Sequence, residues 1–432
     1  MAPNIAPVQT SQQHPKSTTV VIIGGGIVGL MAALSLSERG IPVVLLEKGK
    51  LAGEQSSRNL GWVRKTSRAA ADVPMATASD RLWANLSQRL GADLGYSQTG
   101  IMFLAASENE MAAHAAWKKS VDHLALDTQL LSHREIDSLV PGGRGNWAGA
   151  IYTPSDGRAE PSLAASAIAA GAIRNGAIIV ENCAVRTLSL SGGKVSGVVT
   201  EFGEIRCDQV LLAGGMWSRR FLSKHKVNLP TLPLVLSVMR TAPMDGPTEI
   251  ATGGPDFSFR KRLDGGFTIS QRGAVKAPLT LDHLLLGTRF LPALKHQRHL
   301  LRISLGREFF SDLLLRRGWS GSQTSPFERV RTMDPPVDAG INAEAMRNIS
   351  AAWPIFEQAK IIETWAGMMD VTPDSLPVVG PVSQVPGLML ATGFSGHGFG
   401  TAPAAGQLAA DLLTGDSPII DPYPYRLERF EG

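Results

Sequence analysis

The hydrophobic pattern of the chain changes sharply at Thr18. Residues 1–17 (MAPNIAPVQTSQQHPKS) are polar and proline-rich and lack the apolar run of a signal peptide, so they read as a loose tail. TTVVIIGGG then forms a short β-branched run ending in glycines, the pattern of a buried strand. IVGLMAALSLSERG follows, with Ile27, Leu30 and Leu34 spaced for one helical face and Gly40 placed as the C-terminal cap. IPVVLLE reads as the next strand and ends at Glu47, completing a β-α-β unit of about 30 residues.

Beyond this unit the periodicity switches repeatedly. Residues 71–159 mix amphipathic helix (ATASDRLWANLSQRLGADLG) with short strands such as GIMFLAA. Pro161 opens another helix, and residues 177–215 alternate like a β-meander with turns at Gly192–Gly193 and Gly203. Residues 231–275 are again strand-like, 279–318 are apolar and basic with helical spacing, and the C-terminal part returns to strand, glycine loop and helix. Segments of one fold alternate with segments of another, so the domain boundaries are expected to be discontinuous.

Composition narrows the partners. A chain of 432 residues, 44% hydrophobic and 19% charged, holds enough apolar surface for two packed domains. The net charge of +4 is small, and no Lys/Arg track with interleaved aromatics runs through the sequence, which argues against nucleic acid. Cys183 and Cys207 are too few for a zinc site or a disulfide framework, and the nine histidines show no metal-ligand spacing. No apolar stretch is long enough to predict a transmembrane helix, and the cytoplasm is the default compartment.

Gly24, Gly26 and Gly29 form GxGxxG between the first strand and helix. The first glycine permits the tight turn, the second lets the backbone approach a pyrophosphate, and the third lets the helix pack on the strand. The helix N-terminus supplies N–H groups and the positive dipole end to the phosphates. Glu47 follows at the spacing of an acid that accepts hydrogen bonds from ribose hydroxyls. Strand, helix, second strand and acid together indicate a dinucleotide, NAD or FAD.

Four blocks decide between the two. LAGEQSSRNLGWVRK resembles the loop that runs from the ribose-binding acid toward the isoalloxazine ring in the D-amino-acid-oxidase superfamily. VLLAGGMWS (210–218), WAGMMDVTPDSLPVVG (365–380) and GLMLATGFSGHGFGTAPAAGQLAADLLTG (387–415) resemble later signatures of the same superfamily. LSERGIPVVLLEKGKLAGEQSSR, LPTLP, SPFERVR and DVTPDSLPVVG most resemble the membrane-associated L-amino acid deaminases of bacteria, with sarcosine oxidases as more distant relatives. The resemblance runs from Thr18 to Tyr425. It implies an α/β (α+β, two-domain) fold: a Rossmann-like FAD-binding domain with a discontinuous mixed-sheet substrate domain and a helical insertion. The expected FAD-binding segments are 18–70, 160–230 and 361–418. Those of the substrate domain are 71–159, 231–278 and 327–360, and the insertion is 279–326.

The cofactor-binding set that the resemblance implies is Gly24, Gly26, Ile27, Val28, Gly29, Glu47, Lys48, Gln55, Ser56, Ser57, Arg58, Gly61, Trp62, Val185, Gly214, Trp217, Gly367, Asp374, Gly393, Gly396, His397 and Gly398. Gly367 stands where monomeric sarcosine oxidase has its flavin-tethering cysteine, so non-covalent FAD is expected. Arg272 falls where the deaminases place the arginine that clamps the substrate carboxylate, and Arg64 where the sarcosine oxidases place theirs; a guanidinium fork suits either role. Trp62 and His397 fall beside the flavin. Met369 departs from the carboxylate arginine of glycine oxidase, and Gly400 and Thr268 stand at or near lysines of the sarcosine oxidases, the second of which activates oxygen.

The implied activity is FAD-dependent dehydrogenation of a small amino acid or amine. A hydride passes from the Cα–H to flavin N5, the imine hydrolyses, and the electrons go to a quinone or other electron-transfer partner. A sarcosine- or opine-type oxidase using O2 is the first alternative, and a non-catalytic, flavin-holding subunit the second. Residues 276–317 carry Lys276, Arg289, Lys295, Arg298, Arg302, Arg307, Arg316 and Arg317 among leucines and phenylalanines, against Asp282, Glu308 and Asp312. That pattern suits peripheral contact with an anionic, inner-membrane surface through 279–318, or a basic helical cap on the substrate domain.

Overall fold

The fold is seen in a computed structural model that describes residues 3, 5–291, 294, 298–315 and 318–431. The β-α-β unit forms where its pattern places it: strand Val20–Ile23, helix Ile27–Glu38, strand Val43–Leu46, the strands paired in parallel from Val20↔Val43 to Ile23↔Leu46. Gly40 follows the helix at φ +71°, a left-handed conformation that glycine adopts without a Cβ penalty. The helix is buried around its whole circumference, Ile27 through Ser37. It packs between strand Val43–Leu46 and helices Pro161–Arg174 and Gly398–Thr414. A Cβ on Gly406 would stand 2.5 Å from Met31 Cβ, so the small-residue run TAPAAG is what lets the two helices approach.

Around this unit a six-stranded sheet runs in the order Val378–Pro381, Leu388–Thr392, Gln209–Leu212, Val20–Ile23, Val43–Leu46, Ile178–Val180. All pairs are parallel except the first. The expected meander over 177–215 is therefore only partly a meander. Val185–Ser191, Lys194–Thr200 and Gly203–Arg206 form a separate antiparallel sheet, while the flanking Ile178–Val180 and Gln209–Leu212 join the parallel sheet.

The second layer is a mixed sheet, ten-stranded among the described residues, assembled from segments between Ile101 and Val371. Its longest ladder pairs Leu232–Thr241 with Ile361–Val371, from Leu232↔Val371 to Thr241↔Ile361. Residues 361–371, grouped by the sequence with the nucleotide-binding segments, thus belong hydrogen bond by hydrogen bond to the large sheet. The N-terminal tail also departs from expectation. Ile5 and Val8 pack on the core, Ala6 N donates to Ser162 O, Ser11 N donates to Ile179 O, and Ser17 bridges to Arg206. Scattered apolar residues and backbone bonds dock a segment whose composition looked loose.

The insertion is not wholly helical. Helices Leu281–Leu286 and Arg307–Leu314 flank a strand, Leu301–Ser304, which pairs in parallel with Val275–Pro278 and extends the large sheet. Arg219–Asp282 (3.2 Å) and Arg220–Asp312 tie it to helix Ser218–Ser223, and Leu286 and Phe290 anchor it in a small apolar cluster. Leu284, Leu285, Leu291, Ile303, Leu305, Phe310, Leu313 and Leu314 remain exposed. Lys295, Arg316 and Arg317 lie outside the described residues, as do the side chains of Arg307, Glu308 and Phe309.

Candidate functional site

Two adjoining cavities lie between the sheets. The first encloses about 1260 Å³, open mouth included. Gly24, Gly26, Ile27, Val28, Glu47, Lys48, Gln55, Ser56, Val185, Gly214, Trp217, Gly396 and Gly398 all line it. Gly24 sits at φ +113°, where a Cβ would be 2.4 Å from Ala213 O. Gly29 faces away from the cavity; a Cβ there would be 2.2 Å from Gly24 O, so it sets the helix-to-turn distance that its place in the motif implies.

Glu47 is held by two backbone donors, Gly25 N to Oε2 and Gly49 N to Oε1, each 2.7 Å. Burial pushes its carboxyl above the usual range despite Lys48 and those N–H groups. Each oxygen keeps a lone pair, so further donors such as ribose hydroxyls would stabilise the ionised form. Glu54, which the sequence did not single out, organises the next wall. It accepts from Lys48 Nζ (2.8 Å), Trp217 Nε1 (3.0 Å) and Met333 N (2.9 Å), and Lys48 lies 4.4 Å from the Trp217 ring centroid.

Several expected residues lie elsewhere. Gln55–Arg58 is a single helical turn whose residues point around its circumference, so Gln55 and Ser56 face the cavity while Ser57 and Arg58 turn into the protein. Ser57 Oγ donates to Glu54 O. Arg58 is buried and donates to Met333 O, Ala366 O and Gly53 O, stapling the loop to the large sheet. Gly61 (φ +73°) packs against Ala159 O and the Arg260 guanidinium. Gly367 makes room for Gln55, whose Oε1 would be 2.4 Å from a Cβ there. Asp374 sits in a surface turn paired with Arg429 at 2.8 Å and does not line the cavity. The acid of this segment that does is Asp370, four residues earlier, still on the strand. It accepts from Gly393 N (2.7 Å), which uses up that glycine's N–H, and from Thr392 Oγ1 (3.2 Å); burial pushes it up to about 6.

The second cavity, about 1020 Å³ with its mouth, shares Gln55, Asn59, Gly396 and Phe399 with the first. It gathers all four residues expected to act on substrate, Trp62, Arg64, Arg272 and His397, and adds Arg68, Phe103 and Gln271, which the sequence did not mark. Arg272 lies with its guanidinium carbon 4.1 Å from the Phe103 ring centroid and donates through Nη1 to Gly254 O (3.0 Å). Gly253 makes that packing possible, since a Cβ would meet Phe103 Cδ1 at 2.7 Å and Arg272 Cδ at 3.2 Å. Arg64 bonds Thr66 O and, at 3.1 Å, His397 Nε2.

An arginine can only donate, so His397 Nε2 accepts and the ring proton resides on Nδ1. Burial, then Arg68 and Arg64, hold His397 well below its ordinary pKa, which keeps it neutral. Its Nδ1, Trp62 Nε1 and Gln55 Oε1 are buried without a partner among the described residues. The junction of the two cavities therefore presents two unspent donors and one unspent acceptor, the kind of set that a polar planar ring and a substrate would satisfy. Met369 and Gly400 line this cavity. Thr268 does not. It is buried in strand Phe267–Ser270 with its hydroxyl accepting from Arg262 Nη1 (3.3 Å), so it carries no argument about oxygen.

The glycine turn, Glu47 and the unspent polar atoms at the junction fit an extended dinucleotide bearing a ring, and comparison with known proteins agrees. Residues 19–412 match the family model described as DAO, FAD dependent oxidoreductase. The structure of L-amino acid deaminase from Proteus myxofaciens in complex with anthranilate superposes with a TM-score of 0.95 at 32% identity, covering 100% of this chain and 97% of that one. L-amino acid deaminase from Proteus vulgaris gives 0.94 at 30% identity, covering 99% and 100%. Glycine oxidase of Pseudomonas aeruginosa is 28% identical over 418 residues, 95% of this chain and 98% of its own. The chain belongs to the DAO family of FAD-dependent oxidoreductases and is an enzyme of the class that oxidises amino acids and amines.

Proposed function

We propose that the protein is an FAD-dependent amino acid dehydrogenase in which Arg272 holds the substrate carboxylate. The observation that carries this reading is the position of Arg272: laid on Phe103, bonded to one carbonyl, and facing a cavity that opens onto the nucleotide cavity at Gln55 and Gly396. The glycine turn, Glu47, Lys48, Gln55, Ser56 and Trp217 would hold FAD without a covalent tether, and its N5 would supply the acceptor for the hydride on the substrate Cα. Arg272 fixes the carboxylate bidentately, which leaves the Cα–H one orientation. Trp62, Phe103, Leu236 and Val275 line the cavity and keep water from the reacting carbon. Neutral His397 offers Nδ1–H as a donor. No carboxylate lines this cavity among the described residues, so the substrate reacts as the free amine and the resulting imine hydrolyses after leaving.

The electron acceptor we infer is a quinone. Exposed Leu284, Leu285, Leu305, Phe310 and Leu314, with exposed Arg289, Arg298 and Arg302, suit the interface of an anionic bilayer. No described helix is long and apolar enough to cross a membrane, so contact would be peripheral. A panel of amino acids and N-methyl amino acids, assayed with a quinone analogue and for hydrogen peroxide, tests both parts. Primary amino acids oxidised faster with the quinone than with air support the proposal. Secondary amines oxidised with stoichiometric peroxide would favour a sarcosine-type oxidase instead.

A further inference from the structure

Most deeply buried cations of the molecule, Arg68 of this same cavity among them, are neutralised. Arg58, Lys65, Arg68, Arg158 and Arg260 are each buried, and each has a carboxylate close by: Asp334 at 3.3 Å, Asp80 at 2.6 Å, Asp72 at 2.5 Å, Glu249 at 2.6 Å and Glu160 at 2.7 Å. Arg64 and Arg272, which are partly buried, differ from these together. Neither forms an ion pair among the described residues, and their hydrogen bonds go to Thr66 O, His397 and Gly254 O. The acids near enough to act on them are engaged elsewhere. Asp72 is held by Arg68, Asp156 accepts from Thr66 and shares Lys65 with Asp80, and exposed Glu110 accepts from Ala106 N at 2.7 Å.

Leaving two like charges without an ion-pair partner in one cavity is costly, because the interior screens them poorly and each has lost part of its hydration shell. Burial, then Arg68 and Arg272, lower Arg64 to about 9, and burial lowers Arg272 to about 10. Both guanidinium carbons lie over the same ring, 5.5 Å and 4.1 Å from the Phe103 centroid. Both retain accessible surface, and both line the cavity. A molecule bound in the cavity therefore meets both forks, and a single molecule neutralises both only if it is a dianion. We propose that the substrate of this site is an amine carrying two carboxylates, one on Arg272 and the other on Arg64. Two chemistries share that description: an α-amino dicarboxylic acid, and an amino acid whose nitrogen bears a carboxyalkyl arm. This rests on the site assigned above but adds the second anionic contact.

The test begins with binding to the FAD-loaded enzyme, followed by calorimetry or by perturbation of the flavin spectrum. Glutarate and succinate, which cannot be oxidised, are compared with butyrate and with the corresponding monoamides. The dicarboxylates are expected to bind about 100-fold more tightly, the scale of a desolvated charge pair. Arg64→Met should collapse that ratio toward one, and Arg64→Lys should restore part of it. Turnover of aspartate, glutamate and iminodiacetate, each against its amide, then tells the two chemistries apart. Equal affinity for di- and monocarboxylates in the wild type overturns the inference whether or not the variants fold, and so does a ratio that Arg64→Met leaves unchanged. Selective dicarboxylate binding without oxidation of any amine would sink the dehydrogenase reading and with it the substrate, leaving only the two-anion contact of Arg64 and Arg272. Oxidation of monocarboxylic amino acids with no dicarboxylate preference would do the reverse.

Discussion

The two cavities touch at Gln55, Asn59, Gly396 and Phe399, yet they are built by opposite means. The nucleotide cavity is made largely of backbone: a left-handed Gly24 under Ala213 O, a helix start at Ile27, and an acid clamped by Gly25 N and Gly49 N. Its carboxylates, Glu47, Glu54 and Asp370, are held by donors from the protein itself. The substrate cavity is made of side chains from distant strands and loops, and two of its charges, Arg64 and Arg272, are left without an ion-pair partner among the described residues. A cofactor that stays bound is met by a finished cradle, while a substrate that comes and goes must itself complete the electrostatics. The contrast predicts different responses to mutation on the two sides.

The largest effect belongs to the substrate side. Arg272→Met should cost roughly 3 kcal/mol or more in transition-state stabilisation for carboxylate substrates, about 100-fold in kcat/KM, with FAD content unchanged. Steady-state kinetics on the purified holoenzyme checks this, and loss of FAD along with activity would erase the distinction between the cavities.

Asp370 comes next and is read as stability. Its folded pKa of about 6 lies above the 3.8 of an ordinary aspartate. The native state therefore binds more protons than the unfolded state between those values, and stability falls as pH rises from about 4 to about 6. The loss amounts to at most about 3 kcal/mol and is fully present at neutral pH. Asp370→Asn should flatten the Tm-versus-pH curve of cofactor-free protein across that window; an unchanged slope would place the buried charge elsewhere.

Glu47→Ala should weaken FAD retention by about 1–3 kcal/mol through lost charge-assisted hydrogen bonds, measured by equilibrium dialysis of the flavin. Unaltered retention would remove Glu47 from the cradle. Smallest of all, Leu284→Ser with Leu285→Ser should shift stability by no more than about 0.5 kcal/mol, as exposed positions do. The same pair should reduce co-sedimentation with anionic vesicles, and undiminished binding would leave the insertion as a cap.

The same contrast explains what the sequence revealed. GxGxxG, the strand after it and Glu47 are local, and a turn that only glycine can make leaves a mark at fixed spacing. Arg272 and Arg64 were legible through resemblance, but their shared contact with Phe103 is a product of sheet pairing across more than a hundred residues and leaves no local trace. Asp370 and Asp374 stand in one block of sequence, and only the end of the strand decides which carboxylate points inward. Glu54 was hidden as an unremarkable neighbour of Gln55. The docked N-terminal tail and the strand Leu301–Ser304 were misjudged because each is stabilised by partners far along the chain, which composition does not encode.

The central claim, oxidation of an amino acid whose carboxylate rests on Arg272 beside FAD, is tested most directly by anaerobic rapid mixing of the yellow holoenzyme with a panel of amino acids. The account predicts rapid loss of the flavin's visible absorption with at least one amino acid, at a rate that rises with pH until the substrate amine is fully deprotonated. Arg272→Met, still yellow, should bleach at least about 100-fold more slowly. Absorption untouched by every amino acid, or bleaching equally fast in Arg272→Met, would contradict it.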